Sequence, residues 1–408
     1  MKEPGYSYLF RNNFGLLLLS FLAVFSSSLG QSFFIGLFQV DISQALGISA
    51  GEFGTAYAGV TLISAGALMY FGQKVDWMPP KQFALAILTG LMLGILLLTT
   101  TDLFWLGILG LALMRFNGQG MFGHFGSTLA GREFKVARGR ALSLVSLGFP
   151  CGEIGLPLLV TFLLTVLTWQ QTWWALAALW CSIWLLLYLF APWPAAPLKL
   201  SKAERAQGPK PLRDSRFILL LPLIMALPII STGLMIYQAY LTIDLRAAPS
   251  AYVQALTCLG SARIIGALFV GPKIDRYGSA ITARLFILPF ALGLIVAPMI
   301  GGSTGLITLM TLSGLVVGFQ EPVINTLLIS IWGSENLGRV RATLQSAMVL
   351  GTAISPAFLG YLIDYGVHFQ TIIWGMLAYI VLAWLLAQPV LRKLDTAQYE
   401  SKNAIRSE

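Results

Sequence analysis

Charge is what this sequence has least of. Asp, Glu, Lys and Arg make up 11% of its 408 residues, against about a quarter in soluble domains. No stretch between its apolar runs is long and polar enough to be a soluble domain. Histidine is nearly absent too, with only His124 and His368, which argues against a His-based metal site. The three cysteines, Cys151, Cys181 and Cys258, sit in apolar runs at no metal-ligand spacing and read as small packed hydrophobes. A nucleotide-binding loop, an HExxH motif and a Ser-His-Asp set are also missing. Neither an enzyme nor a bound cofactor is expected.

What the sequence has instead is 57% hydrophobic residues, gathered in runs of about 20, each long enough to cross roughly 30 Å of hydrocarbon as a helix. These runs predict spans at 14–40, 50–71, 82–100, 103–130, 141–165 and 172–191, then at 217–240, 250–270, 281–301, 304–331, 341–362 and 369–391. The first run is too long for a signal-peptide core and reads as a retained span. Between the two sets lies a polar link, Ala191 to Arg216, with Lys199, Lys202, Arg205, Lys210, Arg213 and Arg216. The expected organisation is an all-α integral membrane protein: an N-terminal six-helix bundle (1–192), a cytoplasmic linker (193–216), a C-terminal six-helix bundle (217–391) and a cytoplasmic tail (392–408).

The net charge of +9 follows this topology instead of forming a patch for nucleic acid. With the N-terminus in the cytoplasm, all but three of the 26 Lys and Arg fall in inside segments; Arg246 lies in an outside loop, and Arg115 and Arg263 lie within spans. So lopsided a positive-inside bias places both termini in the cytoplasm. Glycines four apart, Gly90 with Gly94, Gly148 with Gly152, Gly301 with Gly305 and Gly314 with Gly318, suit close helix crossings.

The two halves repeat. Gly72-Gln-Lys74-Val-Asp76 after the second span matches Gly271-Pro-Lys273-Ile-Asp275 after the eighth, and Arg138-Gly-Arg140-Ala141 matches Arg339-Val-Arg341-Ala342. Offsets of 199 and 201 residues indicate parallel repeats about a pseudo-two-fold axis normal to the membrane. On these and related motifs the chain resembles the major facilitator superfamily of transporters over essentially its whole length. Gly72, Asp76 and Lys81 fit the family's loop signature, although Trp77-Met78-Pro79 replaces the usual Arg-x-Gly; Gly271, Asp275, Arg276, Tyr277 and Gly278 fit it more fully. Arg115, Gly118, Gln119 and Gly120 fit the fourth-span motif, and Gly148, Pro150, Gly152, Gly155 and Pro157 fit the fifth-span glycine-and-proline helix. The resemblance implies two bundles around a cavity that opens to alternate sides, in a bacterial inner membrane.

An ionisable side chain near the bilayer centre costs about 2.5–3.5 kcal/mol on insertion scales, so each one marks a site or has a partner. Arg115, His124, Glu153, Arg263 and Glu321 qualify. Arg115 either binds an anion and assists proton coupling or ties its bundle together; Glu153 either carries the coupled proton or is neutralised by Arg115. His124 is nine residues from Arg115, which at 100° per residue sets it on the opposite helix face, in a packing or loop-contact role. Arg263 is the strongest candidate for substrate. Its setting with Gly266, Gly271, Asp275 and Gly278 resembles the eighth span of the oxalate/formate and monocarboxylate branch, where the resemblance implies a guanidinium fork on the substrate carboxylate. The acid that often precedes this arginine is replaced by Leu259, and neither the first nor the eleventh span has a lysine. Glu321 precedes helix-loosening Pro322 and shares a face with Asn325; it either carries a proton or pairs with Arg263. Ser28, Gln31, Ser32, Tyr237, Gln238 and Tyr240 are candidates for a polar cavity wall.

In the loops, Asp76 and Asp275, beside Gly72 and Gly271, are expected to pair with cytoplasmic arginines such as Arg132 or Arg339 and lock an inner gate. The reading is a monomeric secondary transporter, proton-coupled, of a small organic anion, with substrate, protons and the bilayer as its partners. The alternative is proton-driven efflux of an amphipathic compound. A transporter-fold receptor would need an output domain larger than this link and tail.

Overall fold

A computed structural model describes residues 9–11, 13–76, 78–134, 138–195, 211–333 and 337–407. Among them every regular element is helical. Apolar runs of this length must satisfy their own backbone in lipid, and a helix does so within one segment. The chain divides into two compact units, Met1–Ala203 and Glu204–Glu408.

In the first unit α1 has two pieces, Phe14–Gly30 and Ser32–Leu46, bent 46° from each other. Helix α2 is Ala50–Phe71, α3 is Pro80–Thr100 and α6 is Trp169–Phe190. Helix α4 runs as Phe104–Met114, a π-helical turn Arg115–Phe122, and Gly123–Glu133; α5 runs as Arg138–Ser146 and Gly148–Leu163. Helix starts follow from local sequence: Ser49 with Glu52, and Thr168 with Gln171, close reciprocal capping boxes at α2 and α6.

In the second unit α7 is Ser215–Ile236 followed by Gln238–Asp244, α8 is Ala251–Tyr277, and α9 is Ser279–Leu285 followed by Leu288–Ile300. Helices α10, α11 and α12 are Gly302–Trp332, Leu337–Asp364 and Phe369–Ser407. The last runs well past the predicted span end at 391. Beyond it Gln398 Nε2 donates to Ser279 Oγ at 2.8 Å and Arg284 lies 3.6 Å from Asp395, which seats the extension on the start of α9.

Ten of these helices are long and apolar enough to cross a membrane, and the bent α1 pair makes eleven. The remaining predicted span is α4. Its two α pieces are 11 residues each, too short alone for a crossing that takes about 20. Helical dihedrals persist through both joins with the π turn, at Arg115 (φ −64°, ψ −47°) and Gly123 (φ −62°, ψ −43°), so the stretch is one continuous rod.

Packing within the first unit is led by α1. Leu17 and Val24 are buried with Ala130 and Phe134 of the α4 end and Ala141 and Val145 of α5. Trp180 and Trp184 of α6 both donate to Ser26 Oγ, at 3.0 and 3.1 Å. The glycine pairs act mainly as crossing points. A Cβ on Gly94 would lie 2.8 Å from Gly110 O, one on Gly148 would lie 2.7 Å from Phe25 N, and Gly314 and Gly318 press on the carbonyls of Leu259 and Arg263.

Candidate functional site

The break in α1 is where polar groups of the first unit converge. Ser27–Gly30 is a tight 3₁₀ turn, and Gln31 then adopts extended backbone at φ −77°, ψ 152°. Gln31 N donates to Ser28 O at 3.0 Å, and Gln31 O restarts the helix by accepting from Phe34 N and Ile35 N. The carbonyl of Gly30 thereby leaves the helical ladder and is open to another donor. Arg115 takes it. The guanidinium donates from Nη1 to Gly30 O at 3.1 Å and to Ser32 Oγ at 3.2 Å, and from Nε to Thr61 Oγ1 at 3.3 Å. It lies 4.7 Å from the Tyr57 ring centre, and the Tyr57 hydroxyl is 3.0 Å from Ser32 Oγ.

What brings α4 this close to the break is glycine on both sides. A Cβ on Gly118 would sit 2.7 Å from Gly30 N, and one on Gly30 would sit 2.5 Å from Gln119 N and Met114 O. Gly118 and Gly120 also free the backbone of α4 to widen into its π turn, a feature often found at functional sites. Counting 100° per residue does not hold across that π turn. Arg115 meets Thr61 within α2, whereas His124 Nε2 is 3.1 Å from Gly72 O just past its end, a loop contact as expected of it and one that requires the proton on Nε2.

Arg115 is 4% exposed. Its partners among the described residues are all neutral, and Nη2 has no hydrogen bond among them. Of the two readings of Glu153, the one in which Arg115 neutralises it has no contact to Arg115 behind it among the described residues. Glu153 is itself buried, at 7% exposed, on α5. Its neighbour Gly152 packs directly against Ser28, whose buried hydroxyl has no hydrogen-bond partner among the described residues. The α1 break is thus flanked by a cation on α4 and, beyond Ser28, by a carboxyl-bearing turn of α5.

In the second unit Arg263 is half-buried on α8, with its own carbonyl against Gly318 of α10. Glu321 is exposed and Asn325, one turn on, is half-buried. Helix α10 passes Pro322 unbroken, and Thr326 Oγ1 one turn on donates back to Pro322 O at 2.9 Å. Tyr237 marks a joint in α7 (φ −100°, ψ 34°) and is fully buried, its hydroxyl donating to Pro356 O at 2.8 Å. That bond directs it at α11 and away from any open wall. Gln238 follows, 4% exposed, with neither end of its amide hydrogen-bonded among the described residues.

At the loops, Arg132 donates to Glu133 Oε1 at 2.7 Å and to Val75 O at 3.3 Å, so it holds the backbone of the Gly72-to-Asp76 turn. The side chains of Asp76, Asp275 and Arg339 lie outside the described residues. Gly271 has open space where a Cβ would stand, whereas Gly278 has φ +87° and joins α8 to α9 in a conformation that favours glycine. Asp214 caps α7. Its hydrogen bond from Arg216 at 2.7 Å, aided by one from Trp332 Nε1 at 2.9 Å, pulls its carboxyl down to about 2.

The family model of the Major Facilitator Superfamily matches residues 20–252 and again 231–407. The chain belongs to that superfamily. As a member it is a multi-pass membrane transporter and not an enzyme. Among curated proteins no sequence match is found. The solved structure of the nucleoside transporter NupG is similar at a TM-score of 0.70 and 15% identity, covering 91% of this chain and 98% of that one. A variant of the same transporter aligns at a TM-score of 0.65 and 15% identity, over the same shares. At that identity the likeness carries the fold alone. Within this superfamily member, sequence reasoning missed Gly30, Tyr57 and Thr61 as partners of Arg115. Tyr57 and Thr61 stand four apart on α2, and that one-face spacing was the available signal.

Proposed function

We propose that this transporter moves a small organic anion of monocarboxylate type by alternating access, coupled to protons, across a bacterial inner membrane with both termini in the cytoplasm. The observation that carries the reading is the buried charge of Arg115, which has only neutral partners among the described residues. A buried cation without a counter-ion is costly by several kcal/mol, and an entering carboxylate would supply the missing charge while filling the donors of Nη2. Ser28, Gln31 and Ser32 at the α1 break give that ligand neutral contacts. In the second unit Arg263 is the substrate arginine, with Gln238 and Asn325 as its polar neighbours in role, while Tyr237, whose hydroxyl is held by Pro356 O, drops out of the wall expected of it. Gln238 supports this, since a buried amide without hydrogen-bond partners among the described residues is unusual. Glu153 and Glu321 take the proton. Arg132 with Gly72 and Asp76, and Arg339 with Gly271 and Asp275, form the inner gate.

The test is proton-driven uptake into liposomes together with thermal shift of the purified protein. Small carboxylates are expected to raise the melting temperature of wild type and to lose that effect in Arg115→Gln and in Arg263→Gln. Glu153→Gln is expected to keep ligand-induced stabilisation and to lose response to a pH gradient. Stabilisation by amphipathic cations alone would overturn the anion reading in favour of efflux.

A further inference from the structure

Two hollows of about 450 and 470 Å³ lie end to end along α3 and α6. The first is lined by Ala84, Leu88, Trp184, Tyr188 and Trp193, the second by Leu96 and Trp174 among others, and Cys181 belongs to both. Small residues make the slot: Ala84 on α3, and Ala177, Ala178 and Cys181 on α6, stand between large aliphatic and aromatic side chains. From Lys81 to Leu96 the groove follows roughly 22 Å of helix axis, more than one leaflet's share of a hydrocarbon core about 30 Å thick.

We propose that this groove binds one anionic phospholipid, an acyl chain lying along α3 and α6 and its phosphate at Lys81. Apolar walls alone select nothing in a bilayer, because lipid tails are as apolar as the leucines they meet. Selection comes from the groove's end. Lys81 Nζ stands 4.0 Å from the ring centre of Tyr188, itself a wall of the first hollow. Among the described residues Lys81 has no carboxylate partner. Trp193 folds back over the same end, its indole N–H donating to Leu187 O at 2.9 Å. An ammonium with no carboxylate beside it among the described residues, held at the mouth of an apolar slot on the face that the Lys and Arg bias assigns to the cytoplasm, matches a lipid phosphate in that leaflet.

Native mass spectrometry of the full-length protein, with phosphatidylglycerol and phosphatidylcholine of identical chains in competition, tests this. Wild type is expected to retain one phosphatidylglycerol with about five-fold preference, the factor that one basic side chain near a membrane surface supplies. Lys81→Gln should abolish the preference, while Lys393→Gln, which removes an exposed charge from α12, should keep it. Cys181→Trp, which fills the shared part of the slot, should lose the bound lipid. Equal retention of the two lipids by wild type would overturn the proposal, as would an undiminished preference in Lys81→Gln. If Cys181→Trp does not fold, Leu88→Trp blocks the same slot from α3, and an unchanged lipid adduct in it counts equally against the site.

Discussion

Replacing Gly30 by alanine puts the α1–α4 crossing and the Arg115 site to one test. The new methyl would stand 2.5 Å from Gln119 N and Met114 O and 3.0 Å from Gly118 Cα. All three are backbone atoms of α4, so no side chain can rotate away, and the helices must separate by about 1 Å to reach ordinary contact. Overpacking of this kind costs about 1–3 kcal/mol. The same separation carries Gly30 O away from Arg115 Nη1, now 3.1 Å apart, to a distance at which no hydrogen bond survives. Gly155 on α5 is the control, with nothing within 4 Å of its Cβ position; alanine in that helix interior should be neutral or stabilise by about 0.5–1 kcal/mol. Thermal unfolding in detergent and liposome uptake should show Gly30→Ala melting a few degrees lower and transporting poorly, with Gly155→Ala at or above wild type in melting temperature. The reasoning is refuted if Gly30→Ala melts and transports like wild type, or if Gly155→Ala falls as far.

Three further outcomes follow from the geometry. Ser26→Ala strands two buried indole N–H groups at once. It should therefore cost about 2 kcal/mol or more, and much less in a Trp180→Phe, Trp184→Phe background; equal costs in the two backgrounds, from thermal melts, would show that the shared hydroxyl is not what matters. The carboxyl of Asp214 is held at about 2, below its ordinary 3.8. Its contribution is therefore present in full above pH 4 and lost as pH falls towards 2, so the melting difference between wild type and Asp214→Asn should be flat from pH 8 to 5 and close below pH 4. Gly278→Ala forces φ +87°, ψ 165°, an extended conformation at positive φ that only glycine adopts freely, on a residue with a side chain, at about 1–3 kcal/mol, and also meets Gln398 Oε1 at 2.7 Å. Adding Gln398→Ala should restore only part of the lost melting temperature, and complete restoration would mean that backbone strain contributes nothing.

The spans were legible because a membrane imposes one demand on every crossing segment, length and apolarity, and both are local properties. The run 50–71 shows this best, since α2 is Ala50–Phe71. The run 14–40 hides its break for the opposite reason: Ser27, Ser28 and Gly30 interrupt apolarity too little to register, and what lies against them is Gly118, far along the chain. Arg115 was legible as a charge in the wrong solvent. Its principal acceptor was not, because a backbone carbonyl freed by a helix break has no signature in residue identity. The π turn failed to register for a related reason; a periodicity argument assumes the helix type it sets out to use.

The joints in the two opening helices also show how far the internal repeat reaches. Helix α1 gives way at Gln31 in extended backbone, and α7, which opens the second unit, gives way at Tyr237 with φ −100°, ψ 34°, directly before Gln238. At the offset of 199 to 201 residues that relates the loop motifs, Gln31 answers to 230–232, so the second joint falls about six residues late, roughly 9 Å along a helix axis. The repeat that fixes the loops does not extend to where the first helix of each unit bends, and the two units present different backbone groups at their joints.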